Sequence, residues 1–167
     1  MKSKYIIIGL AAAAVSVGIT ACVSSGGEKD RTVSLNQVPQ AAKDTLRQYA
    51  SESDVKGVDM EDQDGTQVYG FDISQGGHSF ELAVTPNGKF MGTEEDIQVT
   101  DMPEAAQMAL KAQAGGGNLS GFEKAVDQNH RTTYEADIEK NGKKTEVAVD
   151  ADGNVVGTES TGTEKGD

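Results

Sequence analysis

The sequence predicts an α+β fold of two tandem repeats, each with one helix packed on a four-stranded antiparallel meander sheet. Three observations lead to this prediction. The chain repeats itself at an offset of 64 to 65 residues, each copy opens with a helical stripe of apolar residues, and strand-like alternation punctuated by glycine follows each stripe. The predicted repeats occupy residues 33–96 and residues 97–160.

The repeat is visible in two kinds of segment. Residues 38–42 (VPQAA) return as residues 102–106 (MPEAA). Between residues 69–94 and residues 134–159, eleven of the 26 positions are identical. The offset grows from 64 to 65 along the chain, so one residue was gained between Gly121 and Tyr134, in the turn before the strand that starts at Tyr134. Such similarity predicts that each copy folds into the same supersecondary unit.

A helix opens each predicted unit because apolar residues recur there at helical spacing. The stripe of the first unit is Val38, Ala42, Leu46 and Tyr49, and that of the second is Met102, Ala106, Leu110 and Ala114. Pro39 falls at the start of the first helix, where its missing N–H costs nothing. Asp101 is the predicted N-cap of the second helix.

A four-stranded meander follows each helix. Weak strands around residues 55–60 and 121–126 precede the Tyr-led strands at residues 69–73 and 134–138, where apolar and polar residues alternate. Tyr69 and Tyr134 are predicted in the core. Glycine-containing pairs follow at the places where tight turns need positive φ angles: Gly76-Gly77, Asn87-Gly88, Asn141-Gly142 and Asp152-Gly153.

Six acids recur at matching positions of the two copies: Asp72, Glu81 and Glu94 in the first, and Asp137, Glu146 and Glu159 in the second. Four of them are the candidate partner-binding residues: Asp72, Glu81, Asp137 and Glu146. They alternate with the apolar set, so we expect them on the solvent side of each sheet. One interpretation makes them an acidic platform for a basic protein, because such fields speed association. The other is that outward polar residues keep the sheet soluble and its register fixed.

The first 21 residues read as an export signal. Two lysines precede about 14 uncharged, mostly apolar residues, too few to span a hydrocarbon core of about 30 Å. The run ends in Ile19-Thr20-Ala21-Cys22, which resembles a bacterial lipobox, and this resemblance implies that Cys22 carries the lipid anchor. An ordinary secretory signal beside an unpaired cysteine is the alternative. Residues 22–32 are a predicted flexible tether, and residues 161–167 a disordered tail.

Composition excludes several classes of function. The formal charge of the chain is −12, and without the signal's two lysines it becomes −14. We therefore expect no nucleic-acid binding, which needs a basic footprint. The chain has one cysteine, so internal disulfides and cysteine-based zinc sites are excluded.

Motifs of catalysis and of metal binding are absent from the sequence. There is no Gly-x-Ser-x-Gly elbow, His-Glu-x-x-His, phosphate-binding loop or dinucleotide fingerprint, and His78 and His130 occupy non-equivalent places in the two copies. The acidic loops that start at Asp62 and Asp150 lack the glycine and glutamate of a calcium-binding loop. We expect no catalytic residue, cofactor or specific metal site. Loose attraction of divalent cations stays open for the acid-rich stretch of Asp59, Glu61, Asp62 and Asp64.

The order of helix start, Tyr-led strand and final hairpin, found twice behind a lipobox, resembles the PepSY-like family of β-lactamase-inhibitor-like proteins. The resemblance covers about 125 residues and implies a helix on a curved antiparallel sheet in cell-envelope proteins that usually lack catalytic residues. The β-lactamase inhibitor itself is a tandem of such units that grips its enzyme with a concave sheet. Disulfides cross-link its repeats, and the single cysteine of this chain allows none.

The predicted function is that of a non-catalytic protein, exported and lipid-anchored to the cell membrane or outer membrane, with its soluble part outside the cytoplasm. Its expected partner is an envelope protein, and inhibition of a protease or other hydrolase is one form that this binding can take. The alternative is an ion-responsive (calcium) or structural surface lipoprotein without a dedicated protein target. Enzyme activity ranks third, because no motif supports it.

Overall fold

The structure is a computed structural model that describes residues 31–63 and 65–160. Two α-helices lie in this part of the chain, α1 (Gln40–Tyr49) and α2 (Glu104–Ala114). Nine strands accompany them: β1 (Arg31–Thr32), β2 (Val55–Gln63), β3 (Thr66–Gln75), β4 (His78–Val84), β5 (Phe90–Asp96), β6 (Asn118–Asp127), β7 (Thr132–Lys140), β8 (Lys143–Val149) and β9 (Val155–Ser160). Helix α1 precedes β2, and α2 connects β5 to β6.

All nine strands belong to one antiparallel sheet, in which each strand pairs with its neighbours along the chain. Strand β5 pairs with β6 from Gly92 opposite Asp127 to Asp96 opposite Glu123. The prediction of two repeats, each a helix on its own four-stranded sheet, is therefore wrong: the fold is one nine-stranded sheet with two helices. Unpaired edges at β5 and β6 would leave backbone groups without partners, and their pairing removes both edges.

Both helices pack on the same face of this sheet. The first core joins the stripe of α1 to β2, β3 and β4, and its buried residues include Leu46, Phe71 and Leu82. The second joins α2 to β7 and β8, around Leu110 and Val147. Burying one leucine side chain completely stabilises the fold by about 2–3 kcal/mol, so these two separate clusters are the main apolar contribution.

Helix α2 begins later than the sequence suggests. Its N-cap residue is Pro103, and Met102 before it is extended with a ψ of 151°. A residue before proline is pushed out of the helical region, which keeps Met102 extended. Asp101 instead ends the 3₁₀ turn Val99–Asp101, where its carboxylate accepts a hydrogen bond of 3.1 Å from the Gln98 N–H. The prediction that Asp101 caps α2 is wrong.

Several predicted features lie outside the described residues: the signal at residues 1–21, the anchor at Cys22 and the tail at residues 161–167. Of the predicted tether at residues 22–32, the last two residues form β1 and pair with Met60 and Asp59. Within the described ranges, no helix is long and apolar enough to cross a bilayer.

The turn after β4 touches the backbone of α1. Gly88 has a φ of +85°, and a Cβ at this position would lie 2.7 Å from the carbonyl oxygen of Ala41. Gly153 repeats the arrangement with a φ of +84° and the same 2.7 Å approach to the oxygen of Ala105. The two glycines thus satisfy two demands at once, a left-handed backbone and close contact with a helix.

Replacement of Gly88 by alanine should lower the free energy of unfolding by about 2–4 kcal/mol, because strain at positive φ adds to the clash with α1. Gly76→Ala is the matched control, since Gly76 has a φ of +61° but open space around it. We expect the control to cost only the backbone strain, about 1 kcal/mol. Urea titration measures both losses, and equal losses in the two variants would contradict the close contact with α1.

Candidate functional site: the carboxyl face

The sheet face opposite the helices carries a dense array of acidic side chains, and we call it the carboxyl face. Register places these acids directly opposite one another in three rows across β3 to β9: Asp72, Glu81 and Glu94; Asp96, Glu123 and Glu135; Asp137, Glu146 and Glu159. Directly opposed residues have Cβ atoms about 5 Å apart, and like charges at that distance destabilise a sheet.

All four predicted partner-binding acids lie on this face. Asp72 is opposite Glu81, and Asp137 is opposite Glu146. Asp72 is exposed, as expected, and Asp137 and Glu146 are half-buried. Glu81 is only 8% exposed, so the expectation that its side chain points into solvent is wrong. Its place in the middle of a row, between Asp72 and Glu94, explains its burial.

The centre of the carboxyl face holds three glutamates with raised pKa values. Burial first of all, and then the charge of Glu123, raises the pKa of Glu94 to about 9. Burial and the neighbouring Asp96 raise the pKa of Glu123 to about 7. Burial likewise raises the pKa of Glu135 to about 7, against the hydrogen bond that its carboxylate accepts from the Thr133 hydroxyl. Near neutral pH this face therefore holds protons that ordinary glutamates have released.

Glu135 is the most buried of these acids, with 4% of its surface exposed. Glu146 lies next to it, and a hydrogen bond between the two carboxyl groups contributes to the pKa values of both. Two carboxyl groups can share such a bond only when one of them keeps its proton. Lys144 is a counter-ion on this face, with its Nζ 2.8 Å from Asp137 Oδ2.

Two glycines make room for the repeated aspartates. A Cβ at Gly57 would lie 2.6 Å from Asp72 Oδ2, and a Cβ at Gly121 would lie 2.6 Å from Asp137 Oδ2. Each aspartate therefore lies against the backbone of the neighbouring strand, where a side chain would exclude it. These glycines were not among the predicted site residues, although they recur at the 64-residue offset.

Three residues at the centre of the face also escaped prediction. Glu94 recurs as Glu159, which was a usable signal, but nothing in the sequence sets Glu123 and Glu135 apart from other acids. Their burial follows from the pairing of β5 with β6 and of β6 with β7, which local sequence patterns do not reveal.

The two histidines lie apart from the carboxyl face. His130, in the turn before β7, stacks on Phe90, which in turn stacks on Tyr49 of α1, with ring centroids 5.2 and 5.3 Å apart. These rings border an open recess of about 250 Å³ on the helix side. His78 is exposed, and its Nδ1 lies 3.1 Å from Glu95 Oε1. Phe90 and Tyr49 thus connect the turn at His130 to the first helix.

In the acidic turn after β8, the carboxylate of Asp150 is hydrogen-bonded to groups of the turn itself. Asp150 accepts hydrogen bonds from the backbone N–H groups of Asp152 and Asn154 and from the Asn154 side chain. These bonds, that of the Asn154 side chain first, lower the pKa of Asp150. These hydrogen bonds stabilise the turn, and they explain why an aspartate and an asparagine occupy these positions of the loop. In the described ranges, no group of three or more His, Cys, Asp and Glu side chains is arranged to hold a metal ion. Asp64 lies outside those ranges.

Comparison with solved structures shows a shared fold. A BLIP-like protein from Bacteroides fragilis is 20% identical, with a TM-score of 0.60 over 77% of this chain and 90% of that one. A protein from Bacteroides eggerthii described as periplasmic is 16% identical, with a TM-score of 0.60 over 74% and 88%. A DUF2874 family protein from Bacteroides ovatus is 12% identical, with the same score over 73% and 86%.

These identities are low, so the likeness extends to the fold and no further. No protein-family model matches the chain, and no curated protein matches it. The architecture of one meander sheet with helices on a single face is thus common to this chain and to the Bacteroides proteins.

Proposed function

We propose that this protein is a non-catalytic, extracytoplasmic binding protein whose carboxyl face receives the cationic surface of another cell-envelope protein. One observation carries the proposal: acidic side chains oppose one another in three rows on the sheet face that neither helix covers. Opposed carboxylates cost free energy in the isolated protein. A partner that brings lysines and arginines to this face would recover that cost on binding, and complementary charge would also speed the encounter.

The solved relatives support the location and the class of this function. One is described as periplasmic and another as BLIP-like, and both have the same fold. Lipid anchoring through Cys22 and inhibition of the bound protein are the finer parts of the proposal. The lipobox supports the first, and the resemblance to β-lactamase-inhibitor-like proteins supports the second. No catalytic role is proposed for His78 or His130, because His78 pairs with Glu95 and His130 belongs to an aromatic stack.

The partner-binding test uses the full chain, isolated from the membrane fraction, as bait. If Cys22 carries the lipid anchor, the Cys22→Ser variant is expected to be absent from that fraction. We expect envelope extracts to yield a partner that the charge-reversed variant Asp72→Lys/Asp137→Lys fails to retain. Asp62→Lys/Asp152→Lys is the matched control, because it makes the same change in charge at exposed positions away from the rows. At moderate salt we expect the loss of affinity to exceed tenfold in the first variant only.

Retention of the same partner by both variants would contradict the proposed site. Hydrolytic turnover that disappears in a His78→Ala/His130→Ala variant would contradict the non-catalytic assignment.

A further inference from the structure

The sheet consists of two halves, β1 to β5 with α1 and β6 to β9 with α2, which meet where β5 pairs with β6. We call β5 and β6 together the seam. In the described chain, every buried hydrophobic residue lies outside these two strands. Phe90, Leu119 and Phe122 are half-buried and pack at the margins of the two cores. The halves on either side thus have cores of their own, and little apolar burial holds β5 to β6.

The helix side of the seam is open. Thr93 and Glu95 of β5, with Lys124 and Val126 of β6, form the floor of the 250 Å³ recess. The opposed pairs there are Thr93 with Val126 and Glu95 with Lys124. Neither pair belongs to a core cluster. On this side the halves are connected mainly by backbone hydrogen bonds, together with the stack of Phe90 on His130 at one end and the hydrogen bond from Lys89 Nζ to Gln128 Oε1.

The carboxyl side of the seam carries Glu94 on β5 and Glu123 on β6. Glu94 is opposite Ala125, so Glu123 is its diagonal neighbour at about 6–8 Å. The charged groups that act on Glu94 are Glu81 of β4, Glu123 of β6, Glu135 of β7 and Glu146 of β8. Those that act on Glu123 are Asp96 of β5, Glu146 and Lys144 of β8, and Asp137 of β7. Lys144 is the cation in this set, and it is bound to Asp137.

We propose that the seam is a pH-sensitive hinge, closed while Glu94 and Glu123 hold their protons and loosened when both carboxyl groups ionise and repel each other across it. Ionisation sends each proton to solvent and leaves two like charges in a poorly hydrated place, with little apolar contact to resist their separation. Each half keeps its own core, so opening at the seam does not require that either half unfold. The raised pKa values of both residues place the transition in the neutral to alkaline range.

Amide hydrogen exchange of the full chain at about pH 6 and about pH 8.5, corrected for the intrinsic pH dependence of exchange, tests this proposal. We expect protection of the β5 and β6 amides to fall at least tenfold more than protection in β3, β4, β7 and β8. The variant Glu94→Gln/Glu123→Gln should lose this extra fall. Glu139→Gln, at the exposed end of β7, should retain it.

A His78→Ala/His130→Ala variant provides a second control, because His130 stacks on Phe90 beside the seam. We expect the extra loss of protection to persist in it. An equal fall in all strands, a fall that survives in the double glutamine variant, or a fall that disappears with the histidines would each overturn the proposal.

Discussion

Glu94 alone is expected to lower the free energy of unfolding by about 3–5 kcal/mol between about pH 5 and about pH 8, and it is the largest contributor to the pH dependence of stability. The pKa of Glu94 is about 9 in the folded protein and 4.5 in a model peptide. Between these values the folded state binds a proton that the unfolded chain has released. Its stabilising contribution is therefore complete below about pH 4.5 and is lost as the pH rises towards 9.

Glu123 and Glu135 also stabilise the folded state at low pH. Their contributions are lost as the pH rises towards about 7, which is the pKa of each in the folded protein. Asp127 and Asp150 have lowered pKa values, so their contribution is present above 3.8 and is lost in acid. Burial opposes the shift at Asp127, but hydrogen bonds from Arg131 exceed it. We therefore expect maximum stability at about pH 4–5.

Chemical denaturation at a series of pH values measures this dependence. Glu94→Gln should flatten the curve and exceed the wild type in stability at about pH 8, because it removes an ionisable group from a buried place. Glu139→Gln is the control at an exposed position of the same face and should follow the wild type. A wild-type stability that rises from pH 5 to pH 8 would contradict the raised pKa values of the carboxyl face.

Leu46→Ala and Leu110→Ala are each expected to cost about 3–5 kcal/mol, because both leucines are fully buried at the centres of the two cores. The clusters share no residue, so the double variant should lose the sum of the two costs within about 0.5 kcal/mol. Met108→Ala is the control on α2, since Met108 is 66% exposed and its truncation should cost less than about 0.5 kcal/mol.

Denaturant titration of these four proteins measures the costs. A double variant that loses much less than the sum would contradict the separation of the two cores.

Local sequence patterns predicted the elements well because their causes are local. Alternation of apolar and polar residues located β3, which extends the predicted strand at residues 69–73, and glycine pairs marked the turns that flank β4. Ala42 and Leu46, two residues of the stripe that starts at Val38, predicted the buried side of α1. Tyr69, predicted in the core, is buried there. In each case a residue and its near neighbours determine the outcome.

The arrangement of the elements could not be predicted in the same way. Pairing of β5 with β6 joins strands that are separated along the chain by α2. No periodicity within either strand indicates which strand it pairs with. Burial of Glu135 follows from that pairing and from the pairing of β6 with β7, and burial of Glu81 follows from its place between Asp72 and Glu94 in a row of acids. The stack of Tyr49, Phe90 and His130 joins three separate elements and has no sequence signature.

The seam crosses the middle of the carboxyl face, so the proposed hinge and the proposed binding surface are physically linked. Loosening of the seam would change the spacing between Glu94 and Glu123, and with it the charge pattern that a partner meets. The two proposals remain separable, because the hinge is measured in the isolated protein and the binding surface by charge reversal at Asp72 and Asp137.

The most direct measurement of the continuous, buried carboxyl face is an NMR titration of the Glu94 side-chain carboxyl carbon. In the wild type we expect a midpoint near 9. In Glu135→Gln the midpoint should move to lower pH, because Glu135 of the second half contributes its charge to the pKa of Glu94 in the first. A midpoint near 4.5, or one that Glu135→Gln leaves unchanged, would contradict a single sheet whose acids from both halves meet on one face.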